Sequence, residues 1–203
     1  MARGNSKANN SHATILKVSI ELFAQHGFEG VTMRQIAQAA KVTLPAIYHH
    51  FGNKEELYRA VETDLYGQHA DSLLVDLHAA ASPEECLRHF IGNLIDRLES
   101  DPAYFKLVQR NLVEDWPENH QFLVDLSLQG VFDELKKLLN TFIDGSGDGM
   151  QPILIFSMIF GFLTLQPVAR MVSGYRLAKV SRAKKRAMLI DNIISFIKVS
   201  PAE

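Results

Sequence analysis

From Ile15 onward the apolar positions recur at helical spacing in segment after segment, and no stretch shows the period of two expected of a half-buried strand. Ile15, Val18, Leu22 and Phe23 fall at i, i+3, i+7 and i+8, one stripe of a first helix. Gly27 supplies a left-handed stop, and Phe28 the apolar residue that often follows such a cap. Thr32 and Gln35 have the spacing of a capping box, and Val31 and Ile36 that of a hydrophobic staple, which predicts a helix from Met33 to near Ala40. Thr43 as cap, Pro45 in the first turn and Gly52 as stop predict a second short helix. Asn53 and Glu56 repeat the capping box and open a longer one, through Leu57, Val61, Leu65, Leu73 and Leu77 to about Ala81. Two short helices joined by a tight turn have the outline of a helix-turn-helix.

The remaining pattern is also helical. Ser82-Pro83 and Asp101-Pro102 are start signals, the second helix ending near Trp116-Pro117. A further helix is predicted from about Glu118 to Ile143, before the break at Gly145, Gly147 and Gly149. Within Pro152 to Met171 lies a thirteen-residue apolar run interrupted only by Ser, Gly and Thr. It is too short for the ~20 residues of a bilayer span. A helix apolar all round is expected to be buried on all sides, by the core and a subunit interface together. The last helix, Ser181 to Lys198, offers Ala187, Leu189, Ile190, Ile193, Ile194 and Ile197 as a second stripe. The fold class is all-α: a three-helix helix-turn-helix domain over 10–55, and a larger helical domain over 56–200.

The segment from Ile15 to Leu57 closely resembles the N-terminal domain of TetR-family transcriptional regulators. The resemblance is carried by A-x-x-G-F at 24–28, T-x-R-x-I-A at 32–37 and Y-H-H-F-x-x-K-E-x-L at 48–57, about a quarter of the chain without a gap. It implies a homodimer through the last two helices, bound to double-stranded operator DNA and responsive to a small-molecule effector. Recognition would fall to the helix after Thr43, where Leu44, Pro45 and Ala46 lack side-chain donors and can offer bases only apolar contact. The resemblance further implies a phosphate bond from Tyr48, a backbone or base contact from His49 and a backbone contact from Lys54. Tyr48 can also pack on Ile47 and Phe51. Lys54 sits where the helix dipole disfavours a cation, a conflict that a phosphate would remove. Thr32 and Arg34 are phosphate candidates on the same grounds, and His50 reads as structural.

Composition and charge adjust this picture only modestly. Residues 1–60 hold seven Lys/Arg against four Glu, 7 − 4 = +3, and the rest 14 − 19 = −5, within a net charge of −2. A basic module on an acidic body would orient in the field of DNA. The polar N-terminus has no apolar signal-peptide core and there is one Cys, so the expectation is a cytoplasmic protein without a disulfide. The family resemblance also implies that helices from 84 to 171 enclose an effector, and the aromatic content would suit an apolar or aromatic one, with Phe90, Phe105, Arg110, Phe122, Phe160 and Gln166 as lining candidates; ordinary core packing is the competing account of the aromatics. Cys86 reads as a small core residue, and the run Lys179, Arg182, Lys184, Lys185, Arg186 as a solvated face. No metal-ligand spacing, phosphate loop or nucleophile–base pair suggests a metal, a cofactor or an enzyme. The expected function is a ligand-responsive regulator, chiefly a repressor. An activator of the same family, or a small-molecule binding protein with a non-functional helix-turn-helix, stays open.

Overall fold

The computed structural model describes residues 3–114, 116–141, 150–172, 174 and 179–199. Among them the chain forms ten α-helices and one π-helical turn, and no strand. The expected glycine break at 145–149 and the helix end at Ile143 lie outside the described residues.

Helix α1 spans Arg3–His26, and α2 (Met33–Ala40), α3 (Leu44–Phe51) and α4 (Lys54–Asp76) begin where the caps predict. At α2 the capping box closes in both directions: the Gln35 N–H donates to Thr32 Oγ1 (3.2 Å) and the Thr32 N–H to Gln35 Oε1 (2.7 Å). Val31 and Ile36 are both buried, as a staple requires. Thr43 precedes α3 but its side chain makes no capping bond, and Gly52 ends the helix at φ +71°. Only half of the expected box forms at α4. The Glu56 N–H donates to Asn53 Oδ1 (2.7 Å), whereas the Asn53 N–H is taken by the Phe51 carbonyl (2.8 Å) and is not left for Glu56. α4 stops at Asp76, short of Ala81. The His78 and Ala79 N–H groups tighten onto the carbonyls of Val75 and Asp76, and the buried Asp76 carboxylate is held by Arg97 and Asn93, both at 2.8 Å.

Helices α5 (Pro83–Ser100) and α6 (Pro102–Val113) start at the expected caps, Ser82 and Asp101. The single helix expected from Glu118 is divided into α7 (Pro117–Leu123), a π turn (Val124–Leu128) and α8 (Gln129–Leu139). The wider π winding cannot be read from apolar spacing, and none of its residues is buried. α9 (Met150–Ala169) and α10 (Arg182–Val199) complete the chain.

The chain divides into two compact units, and not at residue 55. The first unit is Met1–His69 with Asp101–Ser127. Here α6 packs on α1, α7 packs on α6, and Ile15, Phe23, Ile36, Ile47, Leu57 and Val61 form the core. The helix-turn-helix thus shares a core with segments from the middle of the chain. The second unit is Ala70–Ser100 with Leu128–Glu203, in which α5 packs on α8, α9 and α10.

Two expectations about the second unit change. As folded, α9 has 20 residues, with a mean hydropathy of 1.8 over an 18-residue window, so by length and composition it could cross a bilayer; the flanking residues left out of the thirteen-residue run join the helix. Nor is it buried all round. Gln151, Pro152, Ile155, Ile159 and Leu163 form a buried stripe, while Met150, Ile153, Leu165 and Val168 are each more than half exposed. On α10, Leu189, Ile190, Ile193, Ile194 and Ile197 are already buried within the unit, and Ala187 is exposed. The basic run is partly paired within the chain: Arg182 bonds Glu99 (2.6 Å) and Arg186 bonds Asp96 (2.9 Å) on α5. Such exposed pairs fix helix register more than they stabilise.

Candidate nucleic-acid interface

Two buried side chains one turn apart, Ile47 and Phe51, fasten α3 to the core of the first unit and decide which of its residues meet solvent. Pro45, Tyr48 and His49 are exposed, Leu44 and Ala46 half-buried. The turn from α2 to α3 is made by Lys41, a non-glycine residue in the left-handed region (φ +56°, ψ 39°), with the Val42 N–H bonded to the Ala37 carbonyl (3.0 Å). This tight reversal places α3 directly after α2, as a helix-turn-helix requires.

At the start of α2, Thr32 and Arg34 are exposed. Thr32 Oγ1 is committed to the cap, bonding both the Gln35 N–H and, at 2.8 Å, Gln35 Oε1. Arg34 is therefore the better placed of the two for a phosphate, and the Thr43 hydroxyl, unused in capping, is a third candidate. Lys54 is half-buried at the first turn of α4, and its ammonium lies 4.2 Å from the centroid of the Phe28 ring. The ring's negative face offsets part of the conflict with the helix dipole, so Lys54 is held in place without an anion. His50 is half-buried, edge-on to His12 at 5.9 Å, and His12 stacks on Phe51 at 4.6 Å, consistent with a structural role.

Residues 15–61 match the model of the bacterial regulatory proteins of the tetR family. The chain is 44% identical over 55 residues to the transcriptional repressor AcnR of Corynebacterium glutamicum, covering 27% of this chain and 29% of that one. It is 31% identical over 132 residues to the repressor KstR2 of Rhodococcus jostii, covering 63% of each. It thus spans less than two thirds of the length of these curated relatives. The fold matches the regulator FadR of Bacillus subtilis, solved in complex with stearoyl-CoA, with a TM-score of 0.72 at 20% identity over 90% of this chain and 97% of that one. Residues 15–61 thus form an N-terminal domain of the TetR family.

The candidate effector residues divide between the two units. Phe105, Arg110 and Phe122 belong to the first unit, and Phe90, Phe160 and Gln166 to the second. Arg110 reaches back to the C-terminal end of α1, donating to the carbonyls of Ala24 (3.4 Å) and Gln25 (3.1 Å), acceptors that a helix end leaves free. It also lines an open groove of about 480 Å³ with Lys106, Gln109, Val113 and Glu114. Phe122 covers the Arg59 guanidinium at 4.4 Å, and Gln166 accepts from Arg170 (3.1 Å). Phe90 meets Phe156 edge-on at 6.0 Å, and Phe156 stacks on Phe132 at 5.0 Å, an aromatic cluster of the second core.

One group of residues has no signature in the sequence pattern. Glu62 on α4 is 1% exposed, and its Oε1 accepts from Asn111 on α6 and Asn119 on α7, both at 2.8 Å. Tyr58 donates to Asn111 Oδ1 (3.0 Å), and Asn111 reaches Tyr66 (2.7 Å). Burial pushes the Glu62 carboxyl above the usual carboxylate range, and the bonds from Asn119 and Asn111 and the nearby Arg59 oppose that shift. These contacts join residues 45 or more positions apart, beyond the reach of local pattern.

Proposed function

We propose that the chain is a homodimeric, ligand-responsive transcriptional regulator that represses by occupying operator DNA. The observation that carries this reading is the exposed set on one helix-turn-helix: Arg34, Thr43, Tyr48 and His49, with the Lys54 ammonium held at the start of α4. Helix starts with free N–H groups and adjacent cations suit phosphate oxygens. With only apolar side chains at the start of α3, base readout would rest on few hydrogen bonds, and DNA shape would contribute more of the specificity.

Two such heads in a dimer would read half-sites about one helical turn apart, ~34–36 Å. The exposed apolar faces of α9 (Met150, Ile153, Leu165, Val168) and α10 (Met188, Phe196) supply a surface for the second copy. A small effector bound in the helical body would change the separation of the heads.

The test is selection of duplexes from fragmented genomic DNA by the purified protein, followed by affinity measurements across a salt series. The expected result is a pseudo-palindrome. Tyr48→Phe should weaken binding by about 1 kcal/mol, roughly five-fold, and Lys54→Ala should lower the salt slope by about one. No enrichment with or without candidate effectors would favour the alternative, a small-molecule binding protein that does not read DNA.

A further inference from the structure

Lys54 is not held by Phe28 alone. The Phe28 ring lies 5.2 Å from Tyr58 and 5.1 Å from Trp116, the only tryptophan in the chain. Tyr58 is buried, stacks on Trp116 at 5.9 Å with an interplanar angle of 20°, meets Phe23 edge-on at 4.9 Å and is anchored by its hydroxyl to Asn111. Trp116 is fixed in turn by its backbone. Its carbonyl accepts the first N–H groups of α7, from Asn119 and His120 (both 3.0 Å), and the Arg59 guanidinium lies 5.6 Å from its ring. All of these residues belong to the first compact unit. A continuous stack therefore runs from the segment joining α6 and α7 to the ammonium at the start of α4.

We propose that Phe28 and Trp116 are positioning residues for the DNA contact. Phe28 holds the Lys54 ammonium over its face, Trp116 holds Phe28, and the α6–α7 segment thereby sets the affinity of Lys54 for a backbone phosphate. This rests on the DNA-binding reading above. The physical reason is preorganisation: a lysine already confined loses less rotamer freedom when an anion arrives. An ammonium on a ring face still has N–H donors free for a phosphate oxygen. Displacement of Trp116 would release Phe28 and return Lys54 to solvent, weakening the contact with the phosphate-binding residues themselves unchanged.

The experiment uses a duplex recovered from a random-sequence pool by the wild-type protein, with affinities measured across a salt series. Phe28→Leu and Trp116→Leu should each weaken binding about five-fold, an effect of the size an exposed cation–π contact supports. Both should move the salt slope toward that of Lys54→Ala. In a Lys54→Ala background the same changes should cost less than about two-fold, and Trp116→Phe, which keeps a ring, should stay within about two-fold of wild type. Equal losses in both backgrounds with an unchanged salt slope would overturn the proposal and make the rings scaffold only. Should the leucine variants not fold, the emission of Trp116 decides. Saturating duplex should change it in wild type and leave it nearly unchanged in Lys54→Ala, and an equal change in both would defeat the proposal. A wild-type protein that recovers no duplex from the pool is a different result: it removes the DNA-binding reading first, and this proposal with it.

Discussion

At the scale of single residues, conformations that disfavour a side chain are tolerated where the backbone must reverse. Gly27 ends α1 at φ +72°, and a Cβ built there would lie 2.7 Å from Nη1 of Arg110. The position is thus constrained twice, by the left-handed backbone and by the guanidinium that caps α1. Gly27→Ala should destabilise by about 1–2 kcal/mol from the backbone alone, read as a lower denaturant midpoint. A midpoint equal to wild type would mean that α1 can end without the left-handed residue. Lys41 has the same backbone region without being glycine, and accepts that cost at the turn between α2 and α3. Its side chain is exposed beside the recognition helix, where a positive charge is useful to a DNA-binding surface.

At the scale of elements, α4, α6 and α7 are joined by hydrogen bonds around a buried carboxyl in place of an apolar seam. Glu62 binds its proton more tightly in the folded chain than in the unfolded one, because burial disfavours the charged form. Its contribution to stability is therefore fully present below the usual carboxylate range and is lost as pH rises through its higher folded value. Wild type should accordingly lose stability, relative to Glu62→Gln, as pH rises from the usual carboxylate range toward neutrality. Urea unfolding of both proteins at several pH values measures this difference, and parallel profiles would show that folding does not raise the proton affinity of Glu62. The seam between α5 and α10 is built otherwise, with a buried stripe of Leu189, Ile190, Ile193, Ile194 and Ile197 flanked by exposed ion pairs. Its stability should depend on burial far more than on charge.

At the scale of the whole molecule, the apolar residues left exposed on α9 and α10 call for a partner. Met150, Ile153, Leu165 and Val168 lie on the side of α9 away from its buried stripe, and Phe196 is 46% exposed on α10. Exposed apolar groups of this extent mark interaction surfaces. Leu165→Glu combined with Phe196→Glu should leave the helical content unchanged and shift the protein from dimer to monomer in sedimentation equilibrium. Operator affinity should fall with it, because one head makes half of the contacts. A double variant that remains dimeric would place the interface elsewhere.

The sequence by itself determined the local structure of the N-terminal helices and the family that this N-terminal segment matches. Capping boxes, proline at a helix start and glycine after a helix end act within four residues, and they located α2, α3 and the start of α4 correctly. The same pattern marked Tyr48 and His49 as exposed candidates, because the apolar spacing of Ile47 and Phe51 identifies the side of α3 that must be buried, and it marked Arg34 and Lys54 by their places at the first turns of α2 and α4. Tertiary structure decided what depends on distant partners. The Asn53 N–H is claimed by Phe51, α9 shows its core only one stripe, and α10 spends its apolar stripe inside its own unit. Arg110 caps α1 from 85 residues away, and Glu62 finds Asn111 and Asn119 on two later helices. Periodicity states that a side chain is to be buried or paired. Which residue buries or pairs it is settled only when helices far apart in the chain compete for the same surface.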